Sequence, residues 1–104
     1  MTWYERIIAA HVAVTDSVRH AERIGSDRYF VWMEDGRNDL TADNIHEEGA
    51  VTGRSDLYTK LEFDPWAEAF EASLDLHGIA WSRVLTEYED ETRVYHHSWD
   101  WEVA

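Results

Sequence analysis

Between Arg28 and Phe63 two runs rich in aromatic and β-branched residues, RYFVWMEDG and GAVTGRSDLYTKLEF, flank a polar, acidic segment. Side chains of this kind fit a pleated, half-buried surface, so both runs read as strands. A lone strand pair is marginal in water and needs another layer to cover its apolar face. The first run ends at Glu34-Asp35-Gly36, a turn signature. The second, roughly Gly49 to Phe63, alternates Val51, Gly53, Ser55, Leu57, Thr59, Leu61 and Phe63 against polar neighbours, with one apolar face toward its C-terminal half. Its polar, glycine-containing start predicts an arm that projects past the sheet.

The covering layer is signalled on both sides. Trp3, Tyr4, Ile7, Ile8, Val12, Val14 and Val18 follow mostly i, i+3, i+4 spacing, which predicts a helix from about Thr2 to Asp16. Thr2 and Glu5 form a capping box at its start. Ser17 to Glu22 reads equally as a short strand or a helix tail. After Phe63, Asp64 is an N-cap and Pro65 occupies N1, where its missing N–H costs nothing. Trp66, Phe70 and Leu74, with Ala67 and Ala69, make the inward stripe, and Gly78 stands where a C′ residue adopts the left-handed conformation. A hairpin follows from Ile79 to Tyr88 and Arg93 to Val103, turning within Glu89-Asp90-Glu91-Thr92. Its last strand sets Tyr95, His97, Trp99, Trp101 and Val103 against Val94, His96, Ser98, Asp100 and Glu102, and the aromatic face should be buried. Trp66 and Trp99 are expected in the core, and Trp101 either in the core or at a subunit contact. The expected fold is α+β, an antiparallel sheet with two packed helices in the order helix, strand, strand, helix, strand, strand, forming one domain over residues 1–104.

Composition narrows the function classes. A chain of 104 residues buries about 65% of its unfolded surface around one core. Six Trp and five Tyr argue against an acidic disordered chain, and the lack of Cys removes disulfides and thiolate metal sites. No signal-peptide pattern is visible, and no apolar run approaches the roughly 18 residues of a membrane span, so a soluble protein with no membrane partner is expected. With 22 Asp and Glu against 9 Lys and Arg the formal charge is −13, which disfavours specific nucleic-acid binding because phosphate is repelled. The carboxylates either solvate the fold or form a field directed at a basic partner or along a channel that DNA passes without sticking.

No catalytic pattern emerges. His11, His20, His46 and His77 lie in different elements, and His96 and His97 point to opposite faces of one strand, so no metal site is expected. His46 beside Glu47-Glu48 reads as exposed charge on a polar loop. The serines have no Gly-x-Ser-x-Gly elbow, and Gly36, Gly49 and Gly53 make no phosphate-binding loop. The expectation is a protein with no enzymatic role, no cofactor and no small-molecule substrate.

The runs RYFVWMEDG, DLTADN, DLYTKLEFDPWAEAFEASLDLHGIAWS and YEDETRVYHHSWDWEV, in this order after an amphipathic helix, resemble a family of small tailed-phage and prophage proteins that complete the tail or join it to the head. The resemblance covers nearly the whole chain and implies a tail-terminator-like fold. It implies a ring, usually a hexamer, that caps the tail tube and docks onto the head connector, with further copies of itself, the major tail protein and the connector as partners. The expected location is the virion, at the head–tail interface, after assembly in the host cytoplasm. Many relatives carry Gly in the turn of the last hairpin, where this chain has Glu91-Thr92-Arg93. A ring of identical subunits needs two unlike complementary faces, and the segment around Asp39 to Arg54 is the candidate contact arm, with Asp39, Asn44, Glu48, Arg54 and Trp101 as contact residues. Glu87, Glu89, Asp90, Glu91, Asp100 and Glu102 would form an acidic lumenal surface. The alternative is an acidic DNA mimic that blocks a nuclease or restriction enzyme.

Overall fold

The computed structural model describes residues 1–37 and 50–104. Among these, helix α1 spans Trp3–Val12 and strand β1 Val18–His20, followed by β2 at Arg28–Arg37 and β3 at Val51–Thr59. Helix α2 spans Pro65–Leu76, and β4 (Ala80–Glu89) and β5 (Val94–Val103) close the chain. The strands form one sheet in the order β1-β2-β3-β5-β4. The architecture is α+β, with two helices on a five-stranded mixed sheet. Two sequence expectations are corrected here. The sheet has a fifth strand, because Val18–His20 settles the ambiguous segment as β1, and β1 runs parallel to β2, so the sheet is not purely antiparallel.

The local signals at the helix starts operate as read. The Thr2 hydroxyl accepts from the Glu5 backbone N–H at 3.1 Å while the Glu5 carboxylate accepts from the Thr2 N–H at 2.9 Å. Helix α1 stops at Val12, short of the expected Asp16, as the chain tightens with Val14 and Thr15 both donating to the His11 carbonyl. Asp64 accepts from the Trp66 N–H at 2.9 Å, Pro65 opens α2, and Gly78 follows α2 at φ 69°. Arg28 Nε donates to Asp64 Oδ2 at 2.8 Å, its second nitrogen donates to Oδ1, and its guanidinium lies 3.6 Å over the Trp66 ring. Burial would raise the Asp64 carboxyl, but the Arg28 and backbone hydrogen bonds outweigh it and hold the group below its ordinary range. Arg6 ties the layers together, donating to the carbonyls of His77 at 2.9 Å, Gly78 at 3.0 Å and Ala104 at 2.8 Å.

Both helices cover one face of the sheet. The core joins Ile7 and Ala10 of α1, Phe30 and Trp32 of β2, Leu57 of β3, Ala67, Phe70 and Leu74 of α2, and Trp99, Trp101 and Val103 of β5. Trp66 is half-buried against it. Burial of apolar surface at about 25 cal/mol per Å² makes this cluster the main driving force for the fold. Of the residues expected in the helical stripes, Tyr4, Ile8, Val12 and Ala69 instead face solvent.

His11 is buried in this core among Phe30, Trp32 and Phe70. Its Nδ1 lies 2.7 Å from the Ile7 carbonyl, which can only accept, so Nδ1 carries the proton. Nε2 then accepts from the Ser55 hydroxyl at 2.9 Å, and Ser55 Oγ accepts from Trp101 Nε1–H at 2.9 Å. The chain of donors closes with a neutral imidazole, and burial pulls the His11 pKa down to about 4.

Strand β3 departs most from its expectation. It is paired along its whole length, with β2 on one side and β5 on the other, so no arm projects at Val51 to Arg54. Gly53 serves packing there: a Cβ would lie 2.3 Å from Trp101 Cη2 and 2.7 Å from the Met33 carbonyl oxygen. The Glu34-Asp35-Gly36 segment does not end β2 either. It forms a bulge, with Gly36 at φ 125°, and the strand resumes pairing to Arg37. At its far end β3 stops at Thr59, and Leu61 and Phe63, expected on the apolar face, are exposed.

Candidate functional site

Strand alternation assigns the face opposite the helices. β3 contributes Thr52, Arg54, Asp56 and Tyr58, β5 contributes Val94, His96, Ser98, Asp100 and Glu102, and β4 contributes Glu87 and Glu89. The turn side of this face carries a second apolar cluster of Tyr29, Val31, Tyr58 and Val94, covered by Ile24. The cover is the β1–β2 connection, which reverses through Ala21 (φ 67°) and Gly25 (φ 72°). Within it Arg23 lies 3.9 Å over the Tyr58 ring and donates to the Tyr29 hydroxyl at 3.2 Å.

A polar network runs across the middle strands. His96 stacks on Tyr58 with ring centroids 4.4 Å apart, and its two nitrogens face carboxylates from different strands. Nε2 is 2.7 Å from Asp56 Oδ1 and Nδ1 is 3.2 Å from Glu89 Oε2. The Ser98 hydroxyl donates to Asp56 and lies 3.1 Å from His96 Nε2. Burial, reinforced by the Asp56 carboxylate, pushes the Tyr58 phenol up to about 12. Farther along, Arg54 Nε donates to Asp100 Oδ1 at 2.9 Å, and the Thr52 hydroxyl donates to Asp35 at 2.6 Å.

No protein-family model matches the chain. No curated protein matches it at a significant level either. The functional reading therefore rests on the residues.

The structure brings Glu87, Glu89, Asp100 and Glu102 to the bare face and places Asp90 and Glu91 in the turn beyond it. Arg54 is exposed near the middle of the same face, on a strand and not on an arm. Asp39, Asn44 and Glu48 lie outside the described residues. Trp101 is 2% exposed and packed on Gly53, so it belongs to the core and has no surface to offer a neighbour.

Two features were not read from the sequence. The first is the convergence of Glu87, Glu89 and His96, whose ligand atoms all lie within 4.8 Å of one another. His96 faces Glu87 directly across the β4–β5 ladder, a pairing that only the hairpin register reveals. The second is Ser98 beside His96. It has the order of a serine–histidine–carboxylate relay, yet Ser98 is fully buried and its hydroxyl is committed to Asp56, so no substrate carbonyl reaches it. On the helix side His97 is buried, its Nε2 lacks a hydrogen-bond partner among the described residues, and burial lowers its pKa.

Helix α1 carries a third surface. Tyr4, Ile8 and Val12 are 46%, 42% and 51% exposed and stand at i, i+4, i+8, an apolar stripe turned away from the sheet.

Proposed function

We propose that the protein is a structural component of a tailed-phage particle, a tail completion or terminator protein with a tail-terminator-like fold, whose copies close into a ring on the end of the tail tube. The observation that carries this reading is the Tyr4, Ile8, Val12 stripe on α1. An aligned apolar row is costly to leave in water, and such patches serve as contacts with other proteins. Its setting suits a ring. A heterologous interface needs two unlike surfaces, and this fold carries an apolar helix face and a charged bare sheet face on opposite sides of one sheet. Among the described residues the strand edges are also unlike: β4 has β5 as its only strand neighbour, whereas β1 pairs only with Phe30 to Trp32 of β2. The order of residues along the chain, with its resemblance to tail completion proteins, supplies the particle context. In this reading the major tail protein and the head connector flank the ring, and the acidic face lines a channel from which DNA phosphate is repelled.

The DNA-mimic alternative draws less support. A mimic presents unpaired carboxylates in a phosphate-like array, whereas here Arg54 binds Asp100, and His96 lies between Asp56 and Glu89.

The deciding experiment is sedimentation velocity of the full chain, alone and with tubes of a tailed-phage major tail protein, together with a search for the chain in purified particles. A ring on the tube end that Ile8→Glu abolishes without changing the circular dichroism spectrum is the expected result. A chain that stays monomeric with tubes and is missing from particles overturns the proposal.

A further inference from the structure

Three acceptors converge at the turn end of the bare face: the carboxylates of Glu87 and Glu89 on β4 and Nδ1 of His96 on β5. Two of them are held from outside the group. Asp56 and Ser98 hold the far nitrogen of His96, Tyr58 stacks on its ring, and Thr92 Oγ1 donates at 2.8 Å to Oε1 of Glu89, leaving Oε2 turned to His96. Nδ1 of His96 faces Oε2 of Glu89 at 3.2 Å, where either a proton or a metal ion can bridge the two. Acceptors this close need a positive charge among them, and a cation held by Glu87, Glu89 and His96 supplies it as a proton on Nδ1 does. Arg23 does not fill the position: it is 4.0 Å from Glu89 Oε1 and is engaged by Tyr29 and the Tyr58 ring. A cavity of about 470 Å³ lined by Arg23, Glu89, Asp90, Glu91 and Thr92 opens on the Glu89 side of the group.

We propose that Glu87, Glu89 and His96 form a binding site for a divalent first-row transition cation, with Asp56 as the positioning partner of His96. One imidazole and two carboxylates suit Zn²⁺ or Mn²⁺ better than Mg²⁺ or Ca²⁺, which favour oxygen alone. A carboxylate on the far nitrogen is the arrangement that fixes the tautomer and basicity of a metal-bound histidine. An ion on Nδ1 takes the place of any proton there. Because the three ligands bridge the β4–β5 hairpin, the ion would clamp its turn end, which stands beside the acidic surface.

The test is isothermal titration of the full-length protein with zinc chloride, followed by nitrogen-15 NMR of the histidine rings. One equivalent binding with a micromolar Kd, and a large shift confined to His96 Nδ1, is expected. Glu87→Gln, an exposed change that leaves the fold intact, and His96→Gln should each weaken Kd at least tenfold. His20→Gln, which alters the separate His20–Glu34 pair, should leave it unchanged. No heat at millimolar zinc, equal affinity for magnesium, or zinc binding unaltered by Glu87→Gln would overturn the assignment. Neither result depends on ring formation, since the titration is read on the unassembled chain.

Discussion

At the scale of single residues, the fold is most exposed at His11 and Gly53. His11 is neutral in the core with a pKa of about 4, against 6.5 for the free side chain. The unfolded chain therefore binds the proton more readily, so stability is full above about pH 6.5 and falls as the pH drops toward 4. The penalty from this residue at pH 5 is on the order of 2 kcal/mol. Urea unfolding at pH 8 and pH 5 should show at least that loss, and His11→Met should flatten the dependence in this window while lowering stability overall. An unchanged slope in the variant would mean that another group carries the effect. Gly53→Ala places a methyl inside the van der Waals envelope of the Trp101 ring and the Met33 carbonyl. The expected cost is about 3 kcal/mol, with a changed near-ultraviolet tryptophan spectrum as the ring is displaced. A fully native melt would show that the ring moves freely.

At the scale of elements, short-range signals in the sequence carried through, whereas features fixed by distant pairing did not. Thr2–Glu5, Asp64–Pro65 and Gly78 mark helix ends through contacts a few residues apart, and the alternation of β5 needs only its own pleat, so all were legible. β1 was ambiguous because three residues hold too little pattern, and its identity comes from pairing with Phe30 to Trp32. Gly36 misled because a glycine at positive φ serves a bulge as well as a turn. Gly53 misled because its reason is an indole forty-eight positions later, seen only when β3 lies beside β5. The same cause hid the Glu87, Glu89, His96 group, since two carboxylates in an acidic strand say nothing until the hairpin register is known. The Asp64 junction offers the test that belongs here. Asp64→Ala removes the α2 N-cap and leaves Arg28 without its carboxylate, so a loss of about 2 kcal/mol is expected. Arg28→Ala in the same background should cost less than it does alone, because the ion pair is already gone and only the stacking on Trp66 remains to be lost. Additive losses in thermal melts would show that the cap and the ion pair act separately.

At the scale of the whole molecule, the net charge of −13 decides how association responds to salt. In the proposed ring every copy would carry the same excess, so long-range repulsion would oppose assembly while the apolar α1 stripe would favour it. Raising the ionic strength from about 20 mM to about 300 mM shortens the Debye length from roughly 20 Å to about 6 Å and screens that repulsion. Burial of Tyr4, Ile8 and Val12 is not weakened by the same change. Self-association should therefore tighten with salt, seen as a larger weight-average sedimentation coefficient at fixed protein concentration. A decoy that occupies the basic cleft of a nuclease obeys the opposite rule, because attraction between unlike charges is what salt removes. The sign of the salt dependence thus separates the two functions without knowledge of the partner. Association that weakens steadily as salt rises would remove the apolar stripe from the interface and leave the acidic face as the binding surface.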